Sequence, residues 1–267
     1  MSSFGFMTAA IGRTYEQFIG PYIASTLITF PAATTEIRVH GSKAWTDSNQ
    51  KLVASLREHF DRRFVICSTL CDRKANPVVH GTVRWLMHPR FFRPDILYIG
   101  DIDIIICEPR LHGYFEQTLS ASSVPYANGF RGSGGRDNNV RFIGWQHVAK
   151  TEPYYAALSP AILARYAQKF RTMNDERFLY EMCKEVFGLP SPPVRNMNSG
   201  VHVSPNRLPL PTAQRPCSWM ISGNKKLYQA LSLSPVWQDV RQHFSAEYRQ
   251  KLAELEAVIA ADPDEVT

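Results

Sequence analysis

Two carboxylates that lie one residue apart, Asp101 and Asp103, carry the clearest chemical signal in the sequence. They interrupt an apolar run, with Ile96–Ile99 before them and Ile104–Ile106 after them. Burying an unpaired carboxylate costs a large amount of free energy, so a partner for the pair is expected. A divalent cation meets this need, because carboxylate oxygens suit Mg²⁺ and Mn²⁺, which also bind diphosphates. The alternative is a pair of solvated carboxylates in a turn that follows a strand.

Strands and helices alternate along the first two thirds of the chain, and this alternation sets where the two carboxylates lie. Apolar or alternating segments predict strands at Phe4–Ala10, Glu36–His40 and Phe64–Ser68, with helical spacing of apolar residues between them. Such alternation is typical of a doubly wound, mostly parallel sheet. Ligands bind to such sheets at the carboxyl ends of the strands, so Asp101 and Asp103 lie where a ligand is expected.

The last third of the sequence is less regular. Residues 140–148 are predicted to form a strand, and helices are predicted from Pro160 to about residue 171 and over Asp175–Phe187. A segment with four glycines, residues 128–139, is predicted to be a flexible loop. From Pro235 onward, apolar residues at helical spacing predict one long amphipathic helix.

Composition excludes several classes of protein. The chain has 267 residues, 44% of them hydrophobic, and 30 Lys+Arg against 24 Asp+Glu, a net charge of +6. These values fit a globular protein of one large or two small domains and exclude a disordered chain or a disulfide scaffold. From Trp237 to Thr267 there are three bases and seven acids, so this segment carries −4 and the preceding residues carry +10. The basic charge of these preceding residues suits anionic ligands such as nucleotides, phosphosugars or lipid headgroups. The sequence contains no run of basic residues of the kind that favours binding to nucleic acid.

The cysteines and the N-terminus bear on location. The number of cysteines, five, is odd, and no Cys-x-x-Cys pair occurs, so reduced thiols are expected and a zinc site is not. The N-terminus lacks the pattern of a signal peptide, and no apolar run approaches about 20 residues. A cytoplasmic protein is therefore expected, with contact to a membrane surface left open.

Four regions of the sequence resemble GT-A-type glycosyltransferases that use nucleotide-sugar donors, and among them most closely the retaining family 8. The four regions are Thr8 to Ser25, His80 to Leu86, Tyr98 to Asp103, and Asn174 to Leu179 followed by Leu189-Pro190 and Asn196-Met197-Asn198. They occur in the order of the family and together span roughly residues 5–230. The resemblance implies an α/β, GT-A-like (Rossmann-like) fold, with a mostly parallel central sheet flanked by helices and a C-terminal helix.

The resemblance also implies roles for single residues. The expected donor-binding residues are Thr8, Tyr15, Arg84, Asp101, Ile102, Asp103, Gly223 and Lys226. The expected ligands of a Mn²⁺ or Mg²⁺ ion are Asp101, Asp103 and His202. The expected catalytic residues are Asp175 and Gln146, and the expected acceptor-binding residues are Trp145, His147 and Asn198.

Three departures from the family keep alternatives open. Gly100 separates the Tyr98-Ile99 pair from the first aspartate, and the family's Asp-Gln is Asp175-Glu176 here. The late family motif His-x-x-Gly-x-x-Lys-Pro-Trp is split, because His202 supplies its histidine whereas the segment around Lys226 supplies its glycine and lysine. If His202 is not a metal ligand, it is a surface imidazole. If Asp175 is not catalytic, it is a carboxylate that the dipole at a helix N-terminus favours.

The expected function is a metal-dependent, retaining glycosyltransferase in surface polysaccharide assembly. Its partners would be a nucleotide-sugar donor, expected to be a UDP-sugar, and a glycan or glycolipid acceptor. One GT-A-like domain over residues 1–267 would contain a nucleotide-binding half (1–108), an acceptor-side half (109–234) and the C-terminal helix (235–267). The alternative is an inactive GT-A-like module that binds nucleotide or glycan, which the split late motif favours. A nucleotidyltransferase is less favoured, because no basic Gly-rich loop follows the first strand.

Overall fold

A six-stranded sheet forms the centre of the structure, a computed structural model that describes residues 2–69, 82, 84–132, 140–169, 173–191, 199–203 and 224–261. The described strands are β1 (Phe4–Ala10), β2 (Thr34–Val39), β3 (Phe64–Ser68), β4 (Ile96–Ile99), β5 (Ile104–Ile106), β6 (Tyr126–Ala127), β7 (Phe130–Arg131), β8 (Arg141–Phe142), β9 (His147–Lys150) and β10 (Gly200–His202). The α-helices that lie wholly within the described ranges are α1 (Arg13–Glu16), α2 (Ile19–Thr29), α3 (Ser42–Ser48), α4 (Gln50–Phe60), α5 (Leu111–Ala121), α6 (Thr151–Ala157), α7 (Pro160–Lys169), α8 (Asp175–Phe187), α9 (Lys225–Ser232), α10 (Pro235–Arg241) and α11 (Ala246–Ala261).

The strand order of the central sheet is β3-β2-β1-β4-β9-β6. Strands β3, β2, β1 and β4 are parallel neighbours, whereas β9 runs antiparallel to both β4 and β6. The sheet is therefore mixed but mostly parallel, and the fold class predicted from the sequence is confirmed. The two smaller sheets pair β5 with β10 and β7 with β8, both antiparallel.

Helices cover both faces of the central sheet. Phe6 and Met7, which follow each other in β1, belong to two separate apolar clusters, as the alternation of side chains along a strand requires. The cluster around Phe6 includes residues of α2, α4, α10 and α11, and the cluster around Met7 includes residues of α6 and α8. No helix in the described ranges is both long enough and apolar enough to span a membrane.

Two predicted elements, and the apolar run that Asp101 and Asp103 interrupt, are each divided into two. The apolar run around Asp101 and Asp103 forms β4 and β5, which belong to different sheets. The predicted strand at 140–148 forms β8 and the start of β9, separated by a turn. The segment that begins at Pro235 forms α10 and α11, so the predicted single C-terminal helix is corrected; residues 262–267 lie outside the described residues. Ser245 accounts for the division, because its Oγ accepts the backbone N–H of Tyr248 at 3.1 Å and so caps the second helix.

Candidate metal centre

Asp101 and Asp103 lie in the turn that joins β4 to β5, at the carboxyl end of the parallel strands. Thr8 of β1 holds the start of this turn, because its Oγ1 donates a 2.7 Å hydrogen bond to the carbonyl of Gly100. A Cβ at Gly100 would lie 2.5 Å from the ring of Tyr98, so glycine is the residue that fits here. The hydroxyl of Tyr98 donates to the carbonyl of Trp145 and lies 3.2 Å from Ser199 Oγ. These bonds fix the turn against the neighbouring segments.

His202, at the end of β10, completes a cluster with the two aspartates. Its Nε2 lies 3.0 Å from Asp103 Oδ2, and the backbone N–H of Val203 donates to the carbonyl of Asp103 at 2.7 Å. One ligand atom from each of Asp101, Asp103 and His202 lies within 4.8 Å of the others. The side chains of Asp103 and His202 are each 9% exposed, and that of Asp101 is 21% exposed. The three groups predicted as metal ligands are therefore brought together in a recess that opens at Asp101.

The two carboxylates differ in their electrostatics. Burial raises the pKa of Asp101 to about 6, with the guanidinium of Arg84 opposing this and the Asp103 carboxylate adding to it. Burial also acts to raise the pKa of Asp103, but the charge of His202 and its hydrogen bond outweigh burial and lower this pKa below its ordinary value. A divalent cation would favour the charged form of both groups, which fits the two-carboxylate, one-imidazole donor set.

Arg84 connects this cluster to the start of helix α8. Its Nη2 lies 2.7 Å from Asp101 Oδ1 and 3.1 Å from Asp175 Oδ2, and it donates to the carbonyl of Gly144 at 3.4 Å. The guanidinium carbon lies 4.4 Å from the ring centre of Trp85, a cation–π contact. Burial acts to lower the pKa of Arg84, but the carboxylates of Asp101 and Asp175 raise it above its ordinary value, so the side chain stays charged.

Asp175 is held by the N-terminus of α8. Asn174 caps this helix, because its Oδ1 accepts the backbone N–H groups of Glu176 at 2.9 Å and Arg177 at 3.4 Å. The cap and the first helical turn direct Asp175 toward Arg84, as the carboxylate distance shows. The structure therefore brings Asp175 and Arg84 together with the predicted metal ligands.

Glu176 has contacts that sequence reasoning did not find. Its Oε1 lies 3.1 Å from Arg131 Nη1 and accepts the backbone N–H of Gly144 at 3.3 Å. Its Oε2 lies 2.7 Å from Arg141 Nε. These bonds fix the β7–β8 pair and the turn at Gly144 to helix α8. The only signal in the sequence is the neighbouring Asp175, since the arginine partners depend on how the two short strands pair.

Two aromatic side chains lie beside the cluster. The ring of Trp145 is centred 6.3 Å from that of His202, and the guanidinium carbon of Arg131 lies 5.2 Å from the Trp145 ring centre. Tyr15 of α1 is half-buried, and burial together with the nearby Asp103 and Asp101 charges raises the pKa of its hydroxyl. Both residues lie near the candidate metal centre, and their predicted acceptor-binding and donor-binding roles stay predictions.

Several predicted site residues lie in the core instead. His147 is fully buried in β9, with its Nδ1 3.3 Å from Asn128 Nδ2 and its ring 5.3 to 5.5 Å from three aromatic rings. Burial lowers the pKa of His147 to about 3, so the imidazole is neutral. The structure thus places His147 in the core and not on an acceptor surface. Gln146, Thr8 and Ile102 are buried as well, and their predicted catalytic and donor-binding roles stay predictions.

The remaining predicted residues lie around or beyond helix α9. Lys226 is exposed in the first turn of α9, and Asn224, which precedes this helix, donates from Nδ2 to the carbonyl of Gly200 at 3.1 Å. Gly223 and Asn198 lie outside the described residues. The late segment of the predicted donor site is therefore described only from Asn224 onward.

The chain is similar to known proteins in structure, but comparisons of its sequence find no match. No family model and no curated protein matches the chain. Two solved structures of the galactosyltransferase LgtC, one in complex with donor and acceptor sugar analogs and one an active-site mutant, match with TM-scores of 0.51 and 0.52. In each, identity is 13%, and the match covers 92% of this chain and 99% of LgtC.

Weaker likeness extends to other glycosyltransferases. The glycosyltransferase GlyE of Streptococcus pneumoniae matches with 12% identity and a TM-score of 0.47 over 70% of this chain, and the chain spans only 44% of the length of GlyE. The mannosyltransferase PcManGT of Pyrobaculum calidifontis, solved with GDP-Man and Mn²⁺, matches with 14% identity and a TM-score of 0.45 over 98% of this chain and 76% of its own. The likeness to LgtC shows the fold, so the chain has a GT-A-type fold, in agreement with the resemblance seen in the sequence.

Proposed function

We propose that the chain is a divalent-metal-dependent glycosyltransferase. It moves a sugar, with retention, from a nucleotide-diphosphate donor, most simply a UDP-sugar, to a hydroxyl of a glycan or glycolipid acceptor in surface polysaccharide assembly. The observation that supports this proposal is the cluster of Asp101, Asp103 and His202 at the carboxyl end of the parallel strands of a GT-A-type fold. Ligands bind at this end of doubly wound sheets.

Asp101, Asp103 and His202 would hold the cation, for which Mn²⁺ and Mg²⁺ are the candidates. Mn²⁺ fits this donor set well, because it accepts an imidazole together with carboxylates, whereas Mg²⁺ prefers oxygen ligands. When bound, such an ion stabilises the negative charge that develops on a leaving diphosphate.

Arg84, Asp175 and Tyr15 act around this centre in the proposed reaction. The buried guanidinium of Arg84 adds positive charge beside Asp101 and keeps that carboxylate in place. Asp175 would hold the donor sugar or stabilise positive charge at its anomeric carbon, and Tyr15 would contact the nucleotide. Trp145 would contribute to the acceptor side, and Lys226 would bind the diphosphate. Residues 1–108 and 109–234 are correspondingly proposed as the nucleotide-binding and acceptor-side halves.

Thermal unfolding with a panel of nucleotide-sugars and nucleoside diphosphates, with and without Mn²⁺, tests this proposal. A ligand at ~100 times its dissociation constant stabilises the folded state by about 2.7 kcal/mol, which is a visible shift. We expect one nucleotide to stabilise the protein and only with Mn²⁺. Asp103→Asn should abolish the shift, whereas Asp47→Asn, on the exposed surface of α3, should keep it. The absence of any shift in the unmodified protein would contradict the proposal.

A second candidate is an inactive GT-A-like module that binds nucleotide or glycan. The observation that favours it is that Arg84 pairs with both Asp101 and Asp175, and His202 pairs with Asp103, so the cluster is satisfied without a cation. This module would bind nucleotide equally with and without Mn²⁺ and release no sugar. Donor turnover that requires Mn²⁺ would exclude it.

A further inference from the structure

Phe91 is 60% exposed, more than any other large aromatic residue that the structure describes. It lies in the segment Arg90-Phe91-Phe92-Arg93, between a helical turn that contains Arg84 and strand β4. Beside it is a cleft of about 400 Å³ between this segment, the start of the edge strand β3 and the end of α4. The residues that line the cleft are Arg57, Asp61, Arg62, Phe64, Val65, Phe91 and Phe92.

A buried ion pair holds Phe91 in this exposed position. The carboxylate of Glu36, in the middle of β2, accepts the backbone N–H of Arg90 at 3.0 Å and that of Phe91 at 3.0 Å. Arg38 pairs with Glu36 and donates to the carbonyl of His88 at 2.7 Å, and both side chains are almost fully buried. A buried ion pair is weak evidence for stability, but this pair fixes the backbone of the segment. The phenyl ring is therefore presented to solvent by a rigid support.

The surface around Phe91 carries unpaired positive charge. Arg57, Arg62 and Arg90 are exposed, and none of them forms an ion pair within the ranges that the structure describes. Asp61 is the one acid that lines the cleft, so these four residues together carry +2. We call Phe91 and these three arginines the arginine–phenylalanine patch.

We propose that the arginine–phenylalanine patch docks the protein on the surface of an anionic phospholipid bilayer. An aromatic ring among cations matches the bilayer interface, where aromatic rings lie at the level of the headgroups and arginines contact lipid phosphates. The cleft between Phe91 and Phe64 adds an apolar surface next to Arg57 and Arg62. An acidic protein partner would also be complementary to the positive charge, but it would need a pocket that accommodates the Phe91 ring. A bilayer accommodates the ring without such a pocket, so we favour the bilayer.

The patch and the candidate metal centre lie at opposite ends of the sheet. Phe64 begins β3, whereas Asp101 follows the end of β4, and these strands run in the same direction. A protein docked through the patch would therefore turn Asp101, Asp103 and His202 away from the lipid surface, so in the docked state a glycan acceptor fits and a glycolipid of the same bilayer does not. The docking proposal does not depend on the proposed transferase activity.

Co-sedimentation of the full chain with vesicles tests the proposal. Vesicles of phosphatidylglycerol and phosphatidylcholine in equal parts should bind the protein, and vesicles of phosphatidylcholine alone should not. Phe91→Ala should lower the partition coefficient about tenfold, the order expected for withdrawing a phenyl ring from an apolar site. Arg57→Gln combined with Arg62→Gln should lower it about 25-fold, since each basic residue near an anionic surface contributes about a factor of five. Binding should also weaken as salt is raised.

Matched controls separate docking from general effects of charge and exposure. Leu233→Ala removes an apolar side chain that is 77% exposed in the turn between α9 and α10, and Arg110→Gln with Arg249→Gln removes the same net charge elsewhere. Both controls should bind vesicles like the unmodified protein, and all variants should unfold cooperatively. An equal loss of vesicle binding in the patch variants and the control variants would overturn the proposal. The absence of binding of the unmodified protein to the anionic vesicles would overturn it as well. Patch-dependent binding of a polyglutamate peptide without vesicle binding would overturn it in favour of an acidic protein partner.

Discussion

At the scale of single residues, Arg84 Nη2 connects Asp101, one of the proposed metal ligands, to Asp175 and to the Gly144 carbonyl. It contacts Asp101 at 2.7 Å, Asp175 at 3.1 Å and the Gly144 carbonyl at 3.4 Å. A planar guanidinium can serve several acceptors in fixed directions, whereas an ammonium is a point charge. The orientation of Asp101 as a metal ligand therefore depends on the shape of the Arg84 side chain as well as on its charge.

Arg84→Lys should weaken the metal centre although the charge is retained. The shorter reach of lysine leaves Asp101 and Asp175 without a shared partner, and loss of such outer contacts typically costs about 10- to 100-fold in metal affinity or activity. Titration with Mn²⁺ in the presence of UDP measures the effect. Arg110→Lys, an exposed position on another segment, is the control and should bind Mn²⁺ like the unmodified protein. Unchanged Mn²⁺ affinity in Arg84→Lys would show that Arg84 does not orient Asp101.

His147 should make the protein sensitive to mild acid. Burial lowers its pKa to about 3, against about 6.5 for an unfolded histidine, so below pH 6.5 the unfolded chain binds a proton that the folded chain does not. The contribution of neutral His147 to stability is complete above pH 6.5 and is lost as the pH falls toward 3, by about 1.4 kcal/mol per pH unit.

Urea unfolding at pH 7.5 and pH 5.0 measures this loss. His147→Gln removes the titrating group, so its free energy of unfolding should fall less between the two pH values than that of the unmodified protein. Equal pH dependence in His147→Gln and the unmodified protein would contradict a neutral, buried His147.

Residue types and spacing predicted part of the candidate site. The alternation of Asp101 and Asp103 within an apolar run indicated a metal site, and the structure brings His202 and Arg84 to it. Which polar residues point inward could not be predicted, because residue type alone does not distinguish a position that binds a ligand from one that fills the core. His147, Gln146 and Thr8 are the buried examples. The role of Glu176 could not be predicted either, since it depends on the pairing of two short strands.

At the scale of elements, the pairing of β5 with β10 determines where His202 lies. Gly200 pairs with Ile106, and a Cβ at Gly200 would lie 1.8 Å from the carbonyl oxygen of Ile105. The two backbones can approach this closely only because residue 200 has no side chain. In the same register His202 pairs with Ile104, which places its ring beside Asp103.

Gly200→Ala should therefore damage both stability and the metal centre. The added methyl group forces β10 away from β5, and such overpacking typically costs about 1–3 kcal/mol. Because His202 moves with β10, Mn²⁺ affinity should fall in the same variant. Gly113→Ala, in helix α5 with no neighbouring atom within 4 Å, should be neutral or stabilising. Wild-type stability and Mn²⁺ affinity in Gly200→Ala would contradict the role of this strand pair.

Long periodic elements were predicted better than their interruptions. The bounds of β1, β3 and α8 agree with the sequence pattern. The division of the apolar run into β4 and β5 was not predicted, because the bond from Thr8 to Gly100 that holds the turn joins residues 92 positions apart. The division of the C-terminal helix depends on a local cap at Ser245, a signal that the continuous apolar spacing concealed.

At the scale of the whole molecule, packing protects the described cysteines. Burial raises the pKa of Cys67 to about 11 and that of Cys107 to about 12, and burial also raises the pKa of Cys183. The thiolate is the reactive form, so these thiols should react slowly with iodoacetamide at pH 8 while the protein is folded. Mass spectrometry of each site in buffer and in guanidinium chloride measures the difference. Rapid modification of Cys107 in the folded protein would show that the described packing is wrong.

Calibrated Mn²⁺ binding, followed by electron paramagnetic resonance with and without UDP, tests the central claim most directly. The account predicts one Mn²⁺ bound per chain, tighter binding when UDP is present, and loss of this binding in Asp103→Asn but not in Asp47→Asn. Far-UV circular dichroism of both variants establishes that the fold is retained. Equal Mn²⁺ affinity in Asp103→Asn and the unmodified protein would contradict the assignment of Asp101, Asp103 and His202 as a metal centre.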